Sequence, residues 1–184
     1  SILEISEKRD QVPKGVDNIL DIAIENKLDT LHFVEDSMLG FIPIEKSCKK
    51  YGIRMIFGLR MNFCNDLKNP SKDQLHKNIV FLKEKQGYKS LVKLATVYGT
   101  NVFEGNSVID YENYHKLADG VELVVPFYDS YLYNNNLSFS NCLPDFRGLT
   151  PNYFLEYNEL PQDREMAKEI TNLIPKNRVF KAQS

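Results

Sequence analysis

A pair of adjacent carboxylates, Glu35 and Asp36, could bind a hard cation. They follow residues 30–34, which are predicted to form a short buried strand, so they lie where that strand would end. Carboxylate oxygens are ligands that Mg²⁺ and Mn²⁺ prefer. Successive side chains of a strand point to opposite faces, however, so a single cation would not meet both groups. A strand end followed by a turn or helix cap at Asp36-Ser37 is therefore the simpler interpretation.

The histidines and cysteines favour neither a metal cluster nor a nucleophilic site. The chain has three histidines, and none has a second histidine three or four residues away. A lone histidine is more often a packed or surface residue than a ligand. The three cysteines are scattered, which excludes a disulfide framework and a Cys-x-x-Cys zinc motif, and they are most simply small apolar side chains. These residues are His32, His76, His115, Cys48, Cys64 and Cys142.

Two other clusters could take part in binding. The lysines at 46, 49 and 50 form a basic run, which is either a solvated helix face or a phosphate-binding surface. An aromatic stretch covers residues 127–133. It indicates either half-buried packing or a protein-binding surface, because tyrosine offers a large contact area at low entropic cost. The predicted partner-binding residues are Phe127, Tyr128, Tyr131 and Tyr133.

Length and charge narrow the class of protein. The chain has 184 residues, 42% hydrophobic and 26% charged, which is typical of one globular domain spanning 1–184. Its net charge of −2 disfavours direct nucleic-acid binding. No apolar run approaches the roughly 18 residues of a transmembrane helix, and the first residues do not resemble a signal peptide. We therefore expect a cytoplasmic protein without membrane contact.

Short apolar runs alternate with helical patterns along the chain. This alternation predicts an α/β fold built from βα units around a parallel sheet or barrel. A full eightfold barrel takes about 250 residues, so we expect a small or incomplete one. The predicted strands are 2–5, 30–34, 53–57 (stopped by Gly58), 78–82, 120–126, 153–157 and 178–180. The predicted helices are 16–26, 43–51, 89–98 and 161–173, with loops at 65–72 and 134–136.

Four segments in order resemble the PHP (polymerase and histidinol phosphatase) domain, in the version found in bacterial DNA polymerase III alpha subunits. Residues 30–40 resemble its Thr-Asp-His motif and the glycine after it, and 45–58 resemble the helix and strand that follow. Residues 78–94 resemble its apolar strand and Gly-Tyr-x-x-Leu-x-x-Leu helix, and 153–157 its Tyr-x-Glu strand. The resemblance implies a PHP-like, distorted (β/α) barrel.

The resemblance also implies where metal ligands would lie, and this sequence departs from them. The family's His-x-His pair would fall at Glu4 and Ser6, its Asp-His pair at Val34 and Glu35, and a ligand glutamate at Arg60. Valine has no ligand atom, and arginine is a permanent cation. We therefore expect no metal, no cofactor and no catalytic residues, with Arg60 pairing with Glu4 or Glu35 in the vacated site.

These departures predict a non-catalytic interaction protein that keeps the PHP-like scaffold as a platform. The small size and the Lys-, Asn-, Tyr- and Ile-rich composition resemble phage proteins of low-GC hosts, which often bind host machinery. The expected partner is then the host RNA polymerase through its sigma factor, with transcription inhibited and DNA contacted only indirectly. Two alternatives remain open: a docking domain for a replication polymerase, and a phosphoesterase with a rearranged metal site formed by residues 4, 35, 36 and 76.

Overall fold

Strands and helices alternate along the protein, as the sequence predicts. The structure, a computed structural model, describes residues 3–4, 17–137, 139–155 and 160–181. By their internal contacts the residues divide into two units, Ser1–Gly58 and Leu59–Ser184, with the boundary inside one long strand. The predicted single domain over 1–184 stays a prediction.

Among its described residues, the first unit carries two α-helices with apolar buried faces. Asn18 caps the first of them, since its Oδ1 accepts a hydrogen bond from the backbone N–H of Leu20 at 3.1 Å. The second helix ends before Gly52, whose φ of +69° suits the left-handed turn there. The described elements are β1 (Leu3–Glu4), β2 (Asp17–Asn18), α1 (Ile19–Glu25), β3 (Thr30–Glu35), a 3-10 turn (Met38–Gly40), α2 (Phe41–Lys50) and the start of β4 (Arg54–Cys64).

The second unit continues from β4 with short strands and four further helices among its described residues. The strands are β5 (His76–Leu82), β6 (Val102–Phe103), β7 (Asn106–Ser107), β8 (Ile109–Asp110), β9 (Val121–Val125), β10 (Asn152–Leu155) and β11 (Val179–Lys181). The helices are α3 (Gly87–Thr100), α4 (Tyr111–Leu117), α5 (Tyr131–Leu137) and α6 (Pro161–Leu173), with 3-10 turns at Lys72–Gln74 and Lys176–Arg178.

A mixed sheet organises this second unit. Among its described residues, five strands form a curled half-barrel in the order β11-β10-β9-β5-β4, and the two-residue strand β8 pairs parallel with β4 in the same sheet. Strand β9 pairs antiparallel with β5 and parallel with β10, which pairs parallel with β11. Helix α6 covers a core formed by Phe127, Met166, Ala167 and Ile170. The predicted α/β class and the incomplete, distorted (β/α) barrel are thereby confirmed.

Two predictions of local structure, the end of one strand and one loop, are wrong for physical reasons. Strand β4 does not stop at Gly58 but runs on to Cys64, because Phe57 and Leu59 on either side are buried in the core. The asparagine run 134–136 lies in helix α5 rather than a loop. Ser130 precedes this helix, and its Oγ accepts a hydrogen bond from the N–H of Tyr133 at 3.2 Å. Ile2, Ile5, Val16, Glu156 and Tyr157, which belong to predicted elements, lie outside the described residues.

Candidate functional site

The expected ligand positions of the first unit supply few donors. Glu4 ends β1, its side chain is not among those described, and Ser6 lies outside the described residues. Val34 is half-buried in β3 and has no donor atom, and Glu35 is exposed where that strand ends. Asp36 is exposed just beyond it.

Arg60 belongs to the second unit, where it is exposed on β4 between the buried Leu59 and Met61. Its guanidinium is permanently charged. The repulsion between this guanidinium and a unit positive charge 4 Å away is roughly 4 kcal/mol at an effective dielectric near 20. Arg60 therefore opposes the binding of a nearby metal ion. Its pairing with Glu4 or Glu35 stays a prediction. Across the described residues, no three side chains of His, Cys, Asp or Glu converge in a way that could hold a metal.

His76, which lies in the second unit, is the histidine of the alternative rearranged metal site, and protein groups occupy both of its ring nitrogens. It begins β5 and is 2% exposed. Nδ1 lies 2.9 Å from the carbonyl oxygen of Gln74, which can only accept, so Nδ1 carries the proton. Nε2 then accepts a hydrogen bond from the hydroxyl of Tyr111 at 2.6 Å. Neither nitrogen has a lone pair left for a metal.

Asn78 and Cys142 complete this buried cluster. The amide Nδ2 of Asn78 donates to the Tyr111 hydroxyl at 3.0 Å. The thiol of Cys142 lies 3.2 Å from His76 Nδ1 and 3.5 Å from the Gln74 carbonyl oxygen, to which it can donate. Oδ1 of Asn78 has no partner in the described part of the chain, and a buried water would satisfy it. The cluster therefore binds itself rather than an ion.

The cluster is uncharged at neutral pH. Burial lowers the pKa of His76 to about 4, and its bond to Gln74 opposes this shift only in part. Burial raises the pKa of the Cys142 thiol to about 11. Burial also raises the pKa of Tyr111, and the hydrogen bond from the Asn78 amide lowers that pKa by a smaller amount. A neutral imidazole, a protonated thiol and a protonated phenol provide no anionic ligand.

The predicted aromatic stretch divides between core and surface. Phe127 is 1% exposed and packs in the core against α6, so it offers almost no area to a partner. The hydroxyl of Tyr128 donates to Asp163 at 2.8 Å, and those of Tyr131 and Tyr153 lie 3.0 Å apart. Tyr133 is half-buried, with its ring 5.4 Å from that of Tyr128. A role of these residues in partner binding stays a prediction.

The predicted basic run of α2 is solvent-exposed at Lys46, Lys49 and Lys50. Lys49 pairs with Glu45 at 2.7 Å, and the ammonium group of Lys50 lies 5.4 Å from the Tyr51 ring centre. These contacts favour the solvated helix face over a phosphate-binding surface.

Sequence reasoning missed most members of the buried cluster. Tyr111 lies 35 residues from His76, and Cys142 lies 66 residues from it, so no local spacing connects them. The usable signal was Asp110, an N-cap residue before α4, whose Oδ1 accepts from the N–H of Asn113 at 2.9 Å. That cap fixes the start of α4 and thereby places Tyr111.

Replacing Tyr111 by phenylalanine tests the cluster. The variant leaves His76 Nε2 without a donor and Asn78 Nδ2 without its acceptor, both buried, so we expect a loss of about 2 kcal/mol in the free energy of unfolding. Tyr114→Phe is the matched control, since this 2% exposed tyrosine has a hydroxyl with no hydrogen-bond partner among the described residues. Urea unfolding of both variants measures the difference, and equal losses would contradict the assigned hydrogen bonds.

Comparison with known families agrees with the fold described above. A sequence model of the PHP domain matches residues 14–180, so the chain belongs to the PHP domain family. PHP domains are usually metal-dependent phosphoesterases. A search of curated proteins found no match to this chain. No helix within the described ranges has the length and apolar character needed to cross a bilayer.

The described residues do not fit the metal centre that the family implies. Such a centre needs several deprotonated donors converging on one cavity. Val34 offers no donor atom, Arg60 carries a positive charge, and His76 has both ring nitrogens engaged. We therefore derive no chemical step through a metal.

Proposed function

We propose that this chain is a non-catalytic PHP domain that acts by binding another protein. The observation that carries the proposal is the engagement of both His76 nitrogens, by Tyr111 and by Gln74. A ligand histidine in this state would have to break a buried hydrogen bond before it could coordinate a metal. Val34 and Arg60, at positions where the family resemblance implies ligands, support the same reading.

The proposed contact surface lies around helix α5. Tyr133 has a half-exposed ring whose hydroxyl has no hydrogen-bond partner among the described residues. A groove of about 250 Å³ lies between α5 and α6, and Leu173 at its rim is 76% exposed. An aromatic side chain with an available hydroxyl, on a helix that also lines a groove with an exposed leucine at its rim, is typical of interface anchors.

As the specific partner we propose the RNA polymerase of a bacterial host, bound through its sigma factor by a phage-encoded inhibitor of transcription. The Lys-, Asn-, Tyr- and Ile-rich composition supports this choice, and the activity would take place in the host cytoplasm. DNA would be contacted only within that complex, because a chain with a net charge of −2 has little electrostatic attraction to phosphates.

A second candidate partner is a replication polymerase. It is favoured by the four segments that resemble the PHP domain of DNA polymerase III alpha subunits. In that reading the chain would be a docking domain of the replication machinery. A phosphoesterase with a rearranged site would instead need His76 to release Tyr111.

A pull-down with the full chain as bait distinguishes these readings. Capture of RNA polymerase or sigma factor supports the first partner, and capture of replication proteins supports the second. No retained partner, together with metal-dependent phosphate release that a chelator abolishes, would refute the proposal.

The tyrosines of the aromatic stretch provide a quantitative test with the captured partner. We expect Tyr133→Ala to weaken binding about tenfold or more, as interface anchors do. Tyr133→Phe keeps the ring packing and reports the hydroxyl alone. Tyr51→Ala, which removes a 40% exposed tyrosine from the first unit, is the control and should leave affinity unchanged. Unchanged affinity in both Tyr133 variants would place the interface elsewhere.

A further inference from the structure

Residues 140–147, which we call the strap, run extended across the second unit without belonging to any sheet. Alternate residues face inward and outward: Cys142 is fully buried, whereas Asn141 and Asp145 are exposed and Leu143 is 76% exposed. Pro144 explains the extended backbone locally, since it fixes its own φ and disfavours a helical Leu143. The strap thus has the side-chain alternation of a strand but pairs with no strand in the described part of the chain.

Side-chain amides take the place of the missing neighbouring strand. Asn135 Oδ1 accepts a hydrogen bond from the N–H of Cys142, and Asn135 Nδ2 donates one to the Cys142 carbonyl oxygen, both at 2.8 Å. Gln74 donates to the carbonyl of residue 141 at 3.0 Å and accepts from the N–H of residue 143 at 3.1 Å. Asn65 donates to the carbonyl of residue 143 and accepts from the N–H of residue 145, both at 2.9 Å.

Each of these amides therefore forms a paired donor and acceptor contact with the main chain of the strap. A carboxamide has the same donor and acceptor groups as a peptide bond, so the three side chains imitate the edge of a β-sheet. Asn65 also donates to Gln74 at 3.3 Å, which holds the two amides in register. Contacts of this kind recognise an extended backbone whatever its outward side chains are.

Main-chain contacts do not distinguish one sequence from another. Two inward side chains of the strap make the contacts that depend on its sequence. Cys142 is fully buried against His76 Nδ1 and the Gln74 carbonyl, so a larger side chain there would have to displace these groups. Phe146, four residues on, lies with its ring centre 5.3 Å from that of Tyr111 and 5.8 Å from that of Tyr131. A small apolar residue followed four positions later by an aromatic residue is thus the pattern that this surface accepts.

Backbone strain marks both ends of the strap. Phe139, directly before it, has a φ of +53°, and Arg147, its last residue, has a φ of +49°. Positive φ is unfavourable for residues with bulky side chains, and such strain persists only where the surrounding structure imposes it. Release of the strap would relieve both positions.

We propose that Asn65, Gln74 and Asn135 form a groove that binds an extended protein segment through its main chain, and that the strap occupies this groove in cis. The occupant in trans is a segment of a partner protein with a small apolar residue, an extended proline-containing backbone and an aromatic residue four positions on. The inference rests on the proposed function in one respect, namely that the partner is a protein.

Binding in trans must compete with the tethered strap. A segment held by a short tether has an effective concentration in the millimolar range, so a free peptide with the same contacts binds the intact chain only weakly. Weakening the strap should therefore strengthen binding of the peptide, and weakening the groove should abolish it. An ordinary loop attachment predicts neither effect.

The probe is a fluorescent synthetic peptide with the sequence of residues 139–147, carrying Ala in place of the cysteine. We expect Phe146→Ala in the full chain to tighten peptide binding at least about tenfold relative to the unaltered chain, because the strap then competes less well. Adding Gln74→Ala should remove that gain. Gln86→Ala is the matched control, because its exposed amide bonds only to Glu84 among the described groups, and it should keep the gain.

Thiol labelling of the full chain provides the second measurement. Cys142, Cys48 and Cys64 are all buried, so each reacts with a thiol reagent only after an opening event. We expect Gln74→Ala to accelerate labelling of Cys142 at least about tenfold without accelerating that of Cys64, as a local opening requires. Labelling of the three cysteines together, or no peptide binding by folded Phe146→Ala protein, would overturn the inference.

The outcome is separable from that of the proposed function. The peptide and labelling experiments need only the purified chain. If a partner is captured and the peptide does not compete for it, the groove inference fails while partner binding stands. If the peptide binds and no partner is captured, the proposed partner binding is refuted and the inference about the groove stands.

Discussion

Replacing Gly87 by alanine is expected to lower the free energy of unfolding of the second unit by about 4 kcal/mol, at the severe end of single substitutions. A Cβ at Gly87 would lie 2.0 Å from the carbonyl oxygen and 2.5 Å from the carbonyl carbon of Gly120. Both obstacles are backbone atoms, and the same carbonyl accepts hydrogen bonds from the N–H groups of Lys83 and Glu84 at 3.1 Å. Helix α3 would have to move away from the start of β9.

Gly99 provides the matched control within the same helix. A Cβ there has nothing within 4 Å, and the residue is exposed near the end of α3. Because alanine favours helix more than glycine, Gly99→Ala should be neutral or stabilise by up to about 1 kcal/mol. Urea midpoints of the two variants test this. A loss for Gly87→Ala below about 1 kcal/mol, within the range of an ordinary substitution, would contradict the close approach of the two backbones.

Stability should fall by about 3 kcal/mol between pH 6.5 and pH 4 because of His76 alone. Burial lowers the folded-state pKa of His76 from 6.5 to about 4. The unfolded chain therefore binds a proton on this residue before the folded chain does. Its stabilising contribution is full above pH 6.5 and is lost as the pH falls toward 4.

His76→Gln isolates this contribution from that of the carboxylates. The glutamine does not titrate, so the difference in unfolding free energy between the two proteins should shrink as the pH is lowered through this range. The titratable groups facing His76 are Tyr111 on α4, Tyr131 on α5 and Cys142 on the strap, and burial raises the pKa of all three. These groups stay neutral over the whole pH range, so they do not change the direction in which stability varies with pH. Parallel stability profiles of the two proteins would contradict the buried, neutral imidazole.

The sequence predicted correctly those helices and strands whose boundaries are set by residues within the element itself. Helix α6 runs over Pro161–Leu173 as predicted, because proline begins it and its apolar residues recur at helical spacing. Helix α5 was missed because asparagine is a weak helix former. Long-range contacts outweigh that preference: Asn135 bonds to Cys142, and Asn136 donates to Glu169 at 3.1 Å.

The candidate site was predictable only in its departures from the family pattern. Val34 and Arg60 could be recognised as unfit for a metal from residue type alone. The hydrogen bonds that occupy His76 could not be predicted, because they depend on Tyr111 and Cys142 reaching it from distant parts of the chain. The pairing of Gln74 and Asn65 with the strap was equally invisible, because an amide that contacts main chain leaves no pattern in the sequence.

Titration of the purified, chelator-treated chain with Mn²⁺ and with Zn²⁺ in a calorimeter tests the central claim most directly. If His76 is committed to Tyr111 and Gln74, neither metal should show a saturable binding isotherm, and neither should support release of phosphate from a phosphoester. A saturable isotherm that disappears in His76→Gln, accompanied by metal-dependent phosphate release, would contradict the account.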